Sequence, residues 1–299
     1  MSAYTQGLVI LTGINVILAL GYWLTANTNQ FSLGHAGFMA IGAYTASLLT
    51  TQHGTPLPVA MVAGGVLAGI AGGIVGVPGL RLSMLHLAMV TVAFAQLVQI
   101  GFSVWGYAGG TGGLVGMTGT SMSLVLLTLA VVAVAIWLFS RSRPGLESMA
   151  VRDDELAAKA AGIDVIRVKI ATFVVSAFVT GVGGALLAHY LRYISPESFG
   201  VQQSIVIVLY VLFGGLYSFW GPIVGAVILT LLPEYVSWVD GHYLFLYGGL
   251  MVLLMIIRPQ GIVQPRRLRR STPSVLFRLA RSTIARSRQP RVMRGASDA

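Results

Sequence analysis

Cysteine is absent from this sequence and charged residues are scarce. Because none of the 299 residues is cysteine, disulfides, thiolate metal sites and thiol nucleophiles are excluded. Charged residues make up 9% of the chain and hydrophobic residues 56%. Since soluble domains carry about 25% charged residues, this composition indicates a protein that crosses the membrane many times. The first 140 residues hold a single formal charge, Arg81, so we expect no soluble domain before the middle of the chain.

Lysines and carboxylates are missing from the places where ATPases and ion-driven transporters need them. The two lysines, Lys159 and Lys169, lie outside any Gly-rich loop, so the sequence has no P-loop for ATP. It also shows no metal-ligand cluster and no Gly-x-Ser-x-Gly turn, and we predict no catalytic residue, no metal site and no enzyme activity. None of the nine carboxylates is expected near the bilayer midplane, where secondary transporters usually carry ionisable residues. This distribution disfavours a secondary transporter, which is the alternative function from another class.

The apolar runs predict an all-α fold with about nine membrane spans, within a range of eight to ten. Most runs have the roughly 20 residues that a 30 Å hydrocarbon core requires. The last three are shorter, so we expect one of them to be re-entrant or merged with a neighbour. The predicted spans are 5–25, 32–51, 57–79, 84–105, 122–140, 167–191, 204–218, 221–237 and 243–257.

A polar island, residues 141–169, separates the fifth and sixth predicted spans. It holds eleven of the 28 charged residues, although apolar runs flank it on both sides. A segment this polar must lie in water, and its six Arg and Lys residues place it on the cytoplasmic face. The net charge of +10 comes largely from eleven Arg residues between Arg258 and Arg294. This basic tail is expected in the cytoplasm too, near an anionic membrane surface rather than nucleic acid.

Within the polar island, residues 153–162 have the pattern of a short helix of about eight residues, or roughly 12 Å. Asp153 is predicted to cap the helix, and Asp154 and Glu155 place negative charge at its N-terminus. Gly162 is predicted to end it in the left-handed conformation. Its exposed residues are apolar and mostly small, which favours docking into a groove on a partner, with a solvated connector as the alternative. These exposed residues are Leu156, Ala157, Ala160 and Ala161.

The polar island resembles the cytoplasmic coupling loop of ABC importer permeases, in which a Glu, paired Ala residues and a Gly recur. Glu155, Ala157, Ala158 and Gly162 match that pattern. Five further stretches resemble the permeases of the branched-chain amino acid ABC transporter family, of the type that pairs with a second, related permease. They are FSLGHAGFMAIGAYTASLL at 31–49, HLAMVTVAFAQ at 86–96, AHYLRYISPESFG at 188–200, GGLYSFWGPIVGA at 214–226 and RPQGIV at 258–263.

This resemblance runs from residue 29 to 263 and implies the organisation and partners of the protein. It implies a permease domain at 1–263, with the coupling loop at 141–169. The basic tail at 264–299 lies outside the resemblance, and we expect it to be disordered because it has too little apolar content for a core. The implied coupling-loop residues are Asp153, Asp154, Glu155, Ala157, Ala158 and Gly162. The implied partners are a second permease subunit, two ABC ATPase subunits, an extracytoplasmic substrate-binding protein and membrane lipids, with no nucleic acid. The chain would bind no cofactor, because ATP-Mg belongs to the ATPase subunits.

The resemblance also implies the bacterial inner membrane as the location and branched-chain amino acids as the solute. Urea, short amides or another small polar solute are the alternative. The family usually carries a polar residue after a Gly-Gly-Ser/Thr sequence, and this chain has Gly112 there, which leaves the solute open. A membrane sensor or scaffold would fit the composition, but it gives no reason for the Gly-rich interruptions of the spans.

Two interruptions, at 25–37 and 214–226, are predicted to line the translocation pathway. The first is small and polar where lipid-facing chain would be apolar, and the second is a small, Gly-rich break before a span. Such backbone is tolerated in membranes when it is buried in protein or lines a water-filled cavity. His35 is either a substrate contact or a packed, hydrogen-bonded residue. The predicted pathway residues are Ser32, Gly34, His35, Gly37, Gly214 and Gly215.

Two further patterns have alternatives that the sequence leaves open. Gly65, Gly69 and Gly73 stand at four-residue spacing in the third predicted span, which favours close helix packing or, alternatively, a smooth wall for the solute. In the tail, residues 275–288 place apolar residues on one side of a helical wheel and Arg residues on the other. This pattern fits an amphipathic helix on an anionic leaflet, and a disordered tail fits equally well.

Overall fold

Ten α-helices and one short strand pair form the part of the chain that the computed structural model describes: residues 2–80, 84–235, 248–250, 252, 256 and 261–263. These residues belong to one unit that ends at 264. Arg81, most of the predicted span 243–257 and the basic tail lie outside the described residues. The helices and strands are α1 (Ala3–Ala26), α2 (His35–His53), α3 (Leu57–Gly79), α4 (Met84–Val104), β1 (Leu114–Val115), α5 (Met122–Arg141), α6 (Arg143–Asp153), α7 (Glu155–Ala160), α8 (Val165–Leu191), β2 (Tyr193–Ile194), α9 (Val201–Gly214) and α10 (Trp220–Tyr235).

The long helices begin and end at residues suited to those positions. The Ser2 hydroxyl caps α1 by accepting from the Thr5 N–H, and the Asp164 carboxylate caps α8 by accepting from the Arg167 N–H at 3.1 Å. Helix α2 ends at Gly54, which takes the left-handed conformation with φ 61°. These local signals explain why several predicted span boundaries agree with the helices to within a few residues.

Among the described residues, five helices are long and apolar enough to cross a membrane, namely α1, α3, α4, α5 and α8. Helices α9 and α10 are apolar but shorter, as the sequence predicted. The protein is therefore a helical, multi-pass membrane protein. The count of about nine spans stays a prediction, since the last predicted span lies largely outside the described residues.

Helix α8 packs against α1, α2 and α3, and glycines make the closest of these contacts possible. A Cβ on Gly42 of α2 would overlap the backbone of Gly181 in α8, and a Cβ on Gly184 would overlap the backbone of Met39. Gly64 of α3 in turn faces the carbonyl oxygen of Gly42, to which a Cβ would come within 2.7 Å. Helices α2, α3 and α8 therefore touch through their backbones, which only glycine allows.

Close packing of α3 is confirmed, and the predicted row takes part in it at Gly65, where an added Cβ would lie 2.8 Å from the Val182 side chain. Gly69 and Gly73 have ordinary van der Waals room, since their added Cβ atoms would lie 3.5 and 3.6 Å from the nearest atoms. Tight contacts also lie one residue earlier, where Gly72 would bring a Cβ to 2.6 Å from the Ala177 side chain. The rotation of α3 about its axis is set by α2 and α8, so the spacing within α3 alone did not determine it.

A two-stranded antiparallel ribbon marks one end of the helices. Leu114 pairs with Ile194 and Val115 with Tyr193, which joins the α4–α5 connection to the segment after α8. The sequence analysis did not predict these strands. Since α8 runs from the polar island to this ribbon, the two lie at opposite ends of α8. We refer to them as the island end and the ribbon end.

We expect Gly42→Ala to destabilise the helix packing, because the new methyl group would force the α2 and α8 backbones apart. Overpacking of this kind costs about 1–3 kcal/mol, which should lower Tm in detergent by at least about 3 °C. Gly101→Ala in α4 is the matched control, since no described atom lies within 4 Å of its added Cβ. Equal Tm values for the two variants, measured by thermal unfolding, would contradict this account.

Candidate functional site

The polar island folds into two helices, α6 and α7, rather than the single short helix predicted from sequence. Helix α6 begins after Ser142, with Pro144 in its first turn, and continues through Asp153. Proline in the first turn is a common start signal, because its fixed φ suits the helix and its missing N–H would be unpaired there anyway. Pro144 is therefore a start signal for α6 in the sequence itself.

The residue that caps α7 is Asp154, so the assignment of this role to Asp153 was wrong. The Asp154 carboxylate accepts from the backbone N–H groups of Leu156 and Ala157 at 2.9 and 3.0 Å. Asp153 is the last residue of α6, and its carboxylate pairs with Arg152 at 3.1 Å. A capping residue needs an extended backbone, which Asp154 has and a helical residue lacks. Helix α7 consequently has six residues and spans roughly 9 Å.

The predicted role of Gly162 in ending α7 is confirmed. Its φ is 84°, its N–H donates to the Lys159 carbonyl, and the Ile163 N–H donates to the Ala158 carbonyl at 3.1 Å. This pair of bonds is a Schellman motif, which normally brings the residue after the glycine against the last turn. Ile163 does pack on the cluster that contains Ala158.

Helix α7 buries one face and exposes the other. Ala158 is buried against Val151 of α6 and Val165 of α8, which anchors the short helix. Leu156 is 78% exposed. The small residues beside it, Ala157, Ala160 and Ala161, are exposed as well. The predicted apolar surface is therefore present, although the single chain leaves it uncovered.

Glu155 connects α7 to the first turns of α8. Its carboxylate accepts from the Lys169 ammonium at 2.8 Å and pairs with Lys159 at 3.2 Å. The hydrogen bond from Lys169 holds the pKa of Glu155 below its usual range, although partial burial opposes this. From the sequence, Glu155 was predicted at a helix N-terminus and in the coupling-loop pattern, without an ion-pair partner. The partner at position 169 is fourteen residues away, and nothing in the local pattern identifies it.

The break between α1 and α2, residues 27–34, is a non-helical segment buried among other helices. The Leu33 N–H donates to the Thr91 hydroxyl of α4 at 3.0 Å, and the Ala36 N–H donates to the Ser204 hydroxyl of α9 at 2.9 Å. Side chains of other helices thus replace the bonds that helix continuation would have supplied. The break is also tied to α8, because the Gln30 amide donates to the Lys169 carbonyl at 3.1 Å.

His35 is packed and hydrogen-bonded, which is the second of the two alternatives given for it above. It is 0% exposed, and its Nε2 lies 2.9 Å from the Ser176 hydroxyl. Because that hydroxyl donates to the Gly21 carbonyl at 2.6 Å, the histidine Nε2 carries the proton and donates. In this single chain the side chain does not reach any open surface.

The other predicted pathway residues around His35 lie in the α1–α2 break and in the first turn of α2. Ser32, Gly34 and Gly37 are all buried. Added Cβ atoms on the two glycines would come within 3.0 Å of Thr91 and Ala95 respectively, so the glycines permit close approach to α4. Their role in a translocation pathway stays a prediction.

The break between α9 and α10 is built around Gly214 and Gly215. Gly215 has φ 115°, and Gly214 lies against the backbones of Gly221 and Gly225 in α10. The Gly214 carbonyl, left free where α9 ends, accepts from the Val263 N–H at 2.9 Å. The segment 261–263 therefore closes this break, and its place in the pathway also stays a prediction.

A cavity of about 600 Å³ opens near the ribbon end, between the α2–α3 connection and the start of α5. The α4–α5 connection also lines this cavity, through residues 116–119. Gly112 lies earlier in that connection and is exposed. The hydroxyl residues that line the cavity are Thr50, Thr51, Thr55, Thr118, Ser121 and Ser123.

In the part of the chain that the structure describes, no group of three or more His, Asp or Glu side chains could hold a metal ion.

Comparison with known proteins supplies relatives along most of the chain. The chain is 30% identical to the high-affinity branched-chain amino acid transport system permease protein LivM of Escherichia coli (strain K12), over 89% of this chain and 72% of that protein. It is also 30% identical to LivM of Salmonella typhimurium (strain LT2), over 86% and 69%. With the L-arabinose ABC transporter permease protein AraH of Azospirillum brasilense it shares 26% identity, over 85% and 79%. No solved structure matches the chain.

A family model gives the same result over a stretch that includes both helix breaks and the polar island. It is described as the permease component of the branched-chain amino acid transport system, and it matches residues 4–257. That range is well over half of the chain. The protein therefore belongs to the branched-chain amino acid transport system permease family.

Proposed function

We propose that the chain is the membrane-spanning subunit of an ATP-driven importer in the bacterial inner membrane, and that it carries branched-chain amino acids. The observation that supports this most directly is the short, sharply ended helix α7. Its apolar face is uncovered while its opposite face is anchored to α6 and α8. A helix of this kind suits docking into a groove on a partner protein.

In this proposal the polar island faces the cytoplasm and binds an ABC ATPase subunit. Its six Arg and Lys residues favour that orientation. The complete importer would contain this chain, a second permease, two ATPase subunits with their ATP-Mg, and an extracytoplasmic binding protein at the ribbon end. The scarcity of charge in the spans fits such a machine, because the energy for transport arrives mechanically through the docked helix.

The choice of solute rests on the two LivM relatives, whose names specify branched-chain amino acids. The similarity to AraH, named for L-arabinose, means that family resemblance alone does not determine the solute. A direct measurement is therefore required. The binding protein that copurifies with the complex should be titrated with leucine, isoleucine and valine, and in parallel with L-arabinose and urea.

We expect saturable binding of the branched-chain amino acids and none of L-arabinose or urea at the same concentrations. Isothermal titration would measure both, and uptake of the same radiolabelled solutes into proteoliposomes would link binding to transport. Uptake of L-arabinose or urea with exclusion of leucine would refute the proposed solute class, whereas uptake of leucine that does not need ATP would refute the importer itself.

Gly162→Val should impair coupling, because the β-branched side chain cannot adopt a φ of 84° without strain of roughly 1 kcal/mol or more. The strain is conformational, since no described atom lies within 4 Å of an added Cβ. We expect ATP-driven uptake to fall at least about tenfold while membrane insertion is normal. Gly162→Asn is the matched control, because asparagine tolerates this conformation, and it should retain most of the uptake. Normal uptake by Gly162→Val would identify the polar island as an ordinary connector.

Glu155→Gln should loosen α7, because it removes both ion pairs while keeping the side-chain shape. A partly exposed pair contributes up to about 1 kcal/mol, so amide hydrogen exchange in α7 should speed up about two- to fivefold. Glu147→Gln in α6 is the control, since Glu147 forms no ion pair with the described residues. Unchanged exchange in Glu155→Gln would show that these pairs do not hold α7.

The same ion pairs predict a pH dependence of α7. Because the folded protein lowers the pKa of Glu155, the stabilisation is present above the ordinary pKa of 4.5 and is lost as the pH falls through the lowered value. After correction for intrinsic exchange, the wild-type rate should approach that of Glu155→Gln only at that acidic pH.

A further inference from the structure

Arg152 of α6 is largely buried although it lies at the watery island end, and it contacts two segments that are distant in sequence. Its side chain is 12% exposed. Its Nη1 donates to the Asn27 side-chain oxygen at 2.7 Å, and its guanidinium carbon lies 4.8 Å from the ring centre of Tyr217. Asn27 belongs to the α1–α2 break, and Tyr217 to the α9–α10 break. A third partner is the neighbouring Asp153, at 3.1 Å.

The hydrogen bonds around Asn27 have only one consistent direction. Because arginine can only donate, the Asn27 atom that faces Arg152 is the oxygen. The amide nitrogen then faces the Ser148 hydroxyl at 3.2 Å, and that hydroxyl donates to the Gly145 carbonyl at 2.7 Å. Asn27 and Ser148 are 1% and 0% exposed. Water therefore cannot replace these bonds without a rearrangement.

Helix α6 holds Asn27 at two points, since Ser148 and Arg152 are one helical turn apart. Asn27 is also the residue that ends α1, and its N–H donates to the Trp23 carbonyl at 2.8 Å. A buried donor or acceptor that loses its partner costs about 1–3 kcal/mol, and more when the partner is charged. Movement of α6 away from the end of α1 is therefore opposed by several bonds at once.

The two breaks are joined to each other at the same place. The Trp23 indole N–H donates to the Leu216 carbonyl at 2.9 Å, which connects the last turns of α1 to the α9–α10 break. Tyr217, the next residue, carries the ring over which Arg152 lies. Arg152 therefore lies where the polar island, the α1–α2 break and the α9–α10 break come together.

We propose that Arg152 is a positioning residue that transmits movement of the α6–α7 pair to both helix breaks, so that the two breaks shift together. This inference rests on the proposed function, in which a partner ATPase moves α7. Arginine suits the role better than lysine, because a flat guanidinium donates along its edge to Asn27 while its face covers the Tyr217 ring. Pairing with Asp153 alone would require neither the burial nor the long-range contacts.

The test is the ratio of solute transported to ATP hydrolysed by the complete transporter in proteoliposomes. Arg152→Gln should lower uptake at least about tenfold, while ATP hydrolysis stimulated by loaded binding protein stays within about twofold of wild type. Arg152→Lys should give an intermediate ratio, because it keeps the charge but not the planar group. Arg167→Gln is the matched control: this arginine of the same polar island is 86% exposed, pairs with Asp164, and should leave the ratio unchanged.

A second variant tests the contact rather than the residue. Asn27→Ala should also lower the ratio, and the double variant should be no worse than the more impaired single variant, because all three lack the bond between Arg152 and Asn27. Independent, multiplying effects would overturn the proposal. So would equal losses of uptake, hydrolysis and amount of assembled complex, since a merely structural residue would produce that result.

If Arg152→Gln does not assemble, the ratio is determined from Arg152→Lys and Asn27→Ala, and a wild-type ratio in both would refute the inference. Failure of the proposed function is distinguishable, because it would appear as missing ATP-driven uptake in the unaltered complex. Normal uptake there together with a normal ratio in Arg152→Gln would refute only the role of Arg152.

Discussion

The hydrogen-bonding requirement of the backbone inside a membrane governs this structure. A helix that stops inside the packed bundle leaves N–H and C=O groups that water cannot reach, so other parts of the protein must satisfy them. At the α1–α2 break the hydroxyls of Thr91 and Ser204 do so. At the α9–α10 break the backbone of 261–263 does so. Each break is thereby tied to distant elements, which makes it a junction of the fold rather than a loose connection.

The charged residues of the polar island lie together at the island end, where several of them contact each other and the breaks. Glu155 and Lys169 fix α7 to α8, while Arg152 reaches the end of α1. The long helices, in contrast, are held by shape, through apolar contacts and backbone approaches at glycine. The protein therefore combines a charge-poor bundle with one polar region that contacts both the α1–α2 break and the α9–α10 break.

Sequence reasoning succeeded where a local rule decides the structure. Two features follow from residue types and their neighbours: the left-handed conformation of Gly162, and the non-helical backbone between α1 and α2 that is buried in protein. It failed where a distant partner decides. Asp154 rather than Asp153 caps α7 because α6, which was not predicted, continues through Asp153. The tight contacts of α3 include Gly64 and Gly72 outside the predicted row because α2 and α8 set the rotation of α3. The contact between Arg152 and Asn27 spans 125 positions, and no pattern in one sequence could reveal it.

The backbone contacts of Gly42, Gly64 and Gly184 have a mechanical consequence. Sliding one of these helices along another by a single residue would replace a glycine with a side chain at a position that has no room for a Cβ. The position of each of these helices along its neighbour is therefore fixed. Since sliding is blocked, we expect α2, α3 and α8 to move together in any change of shape.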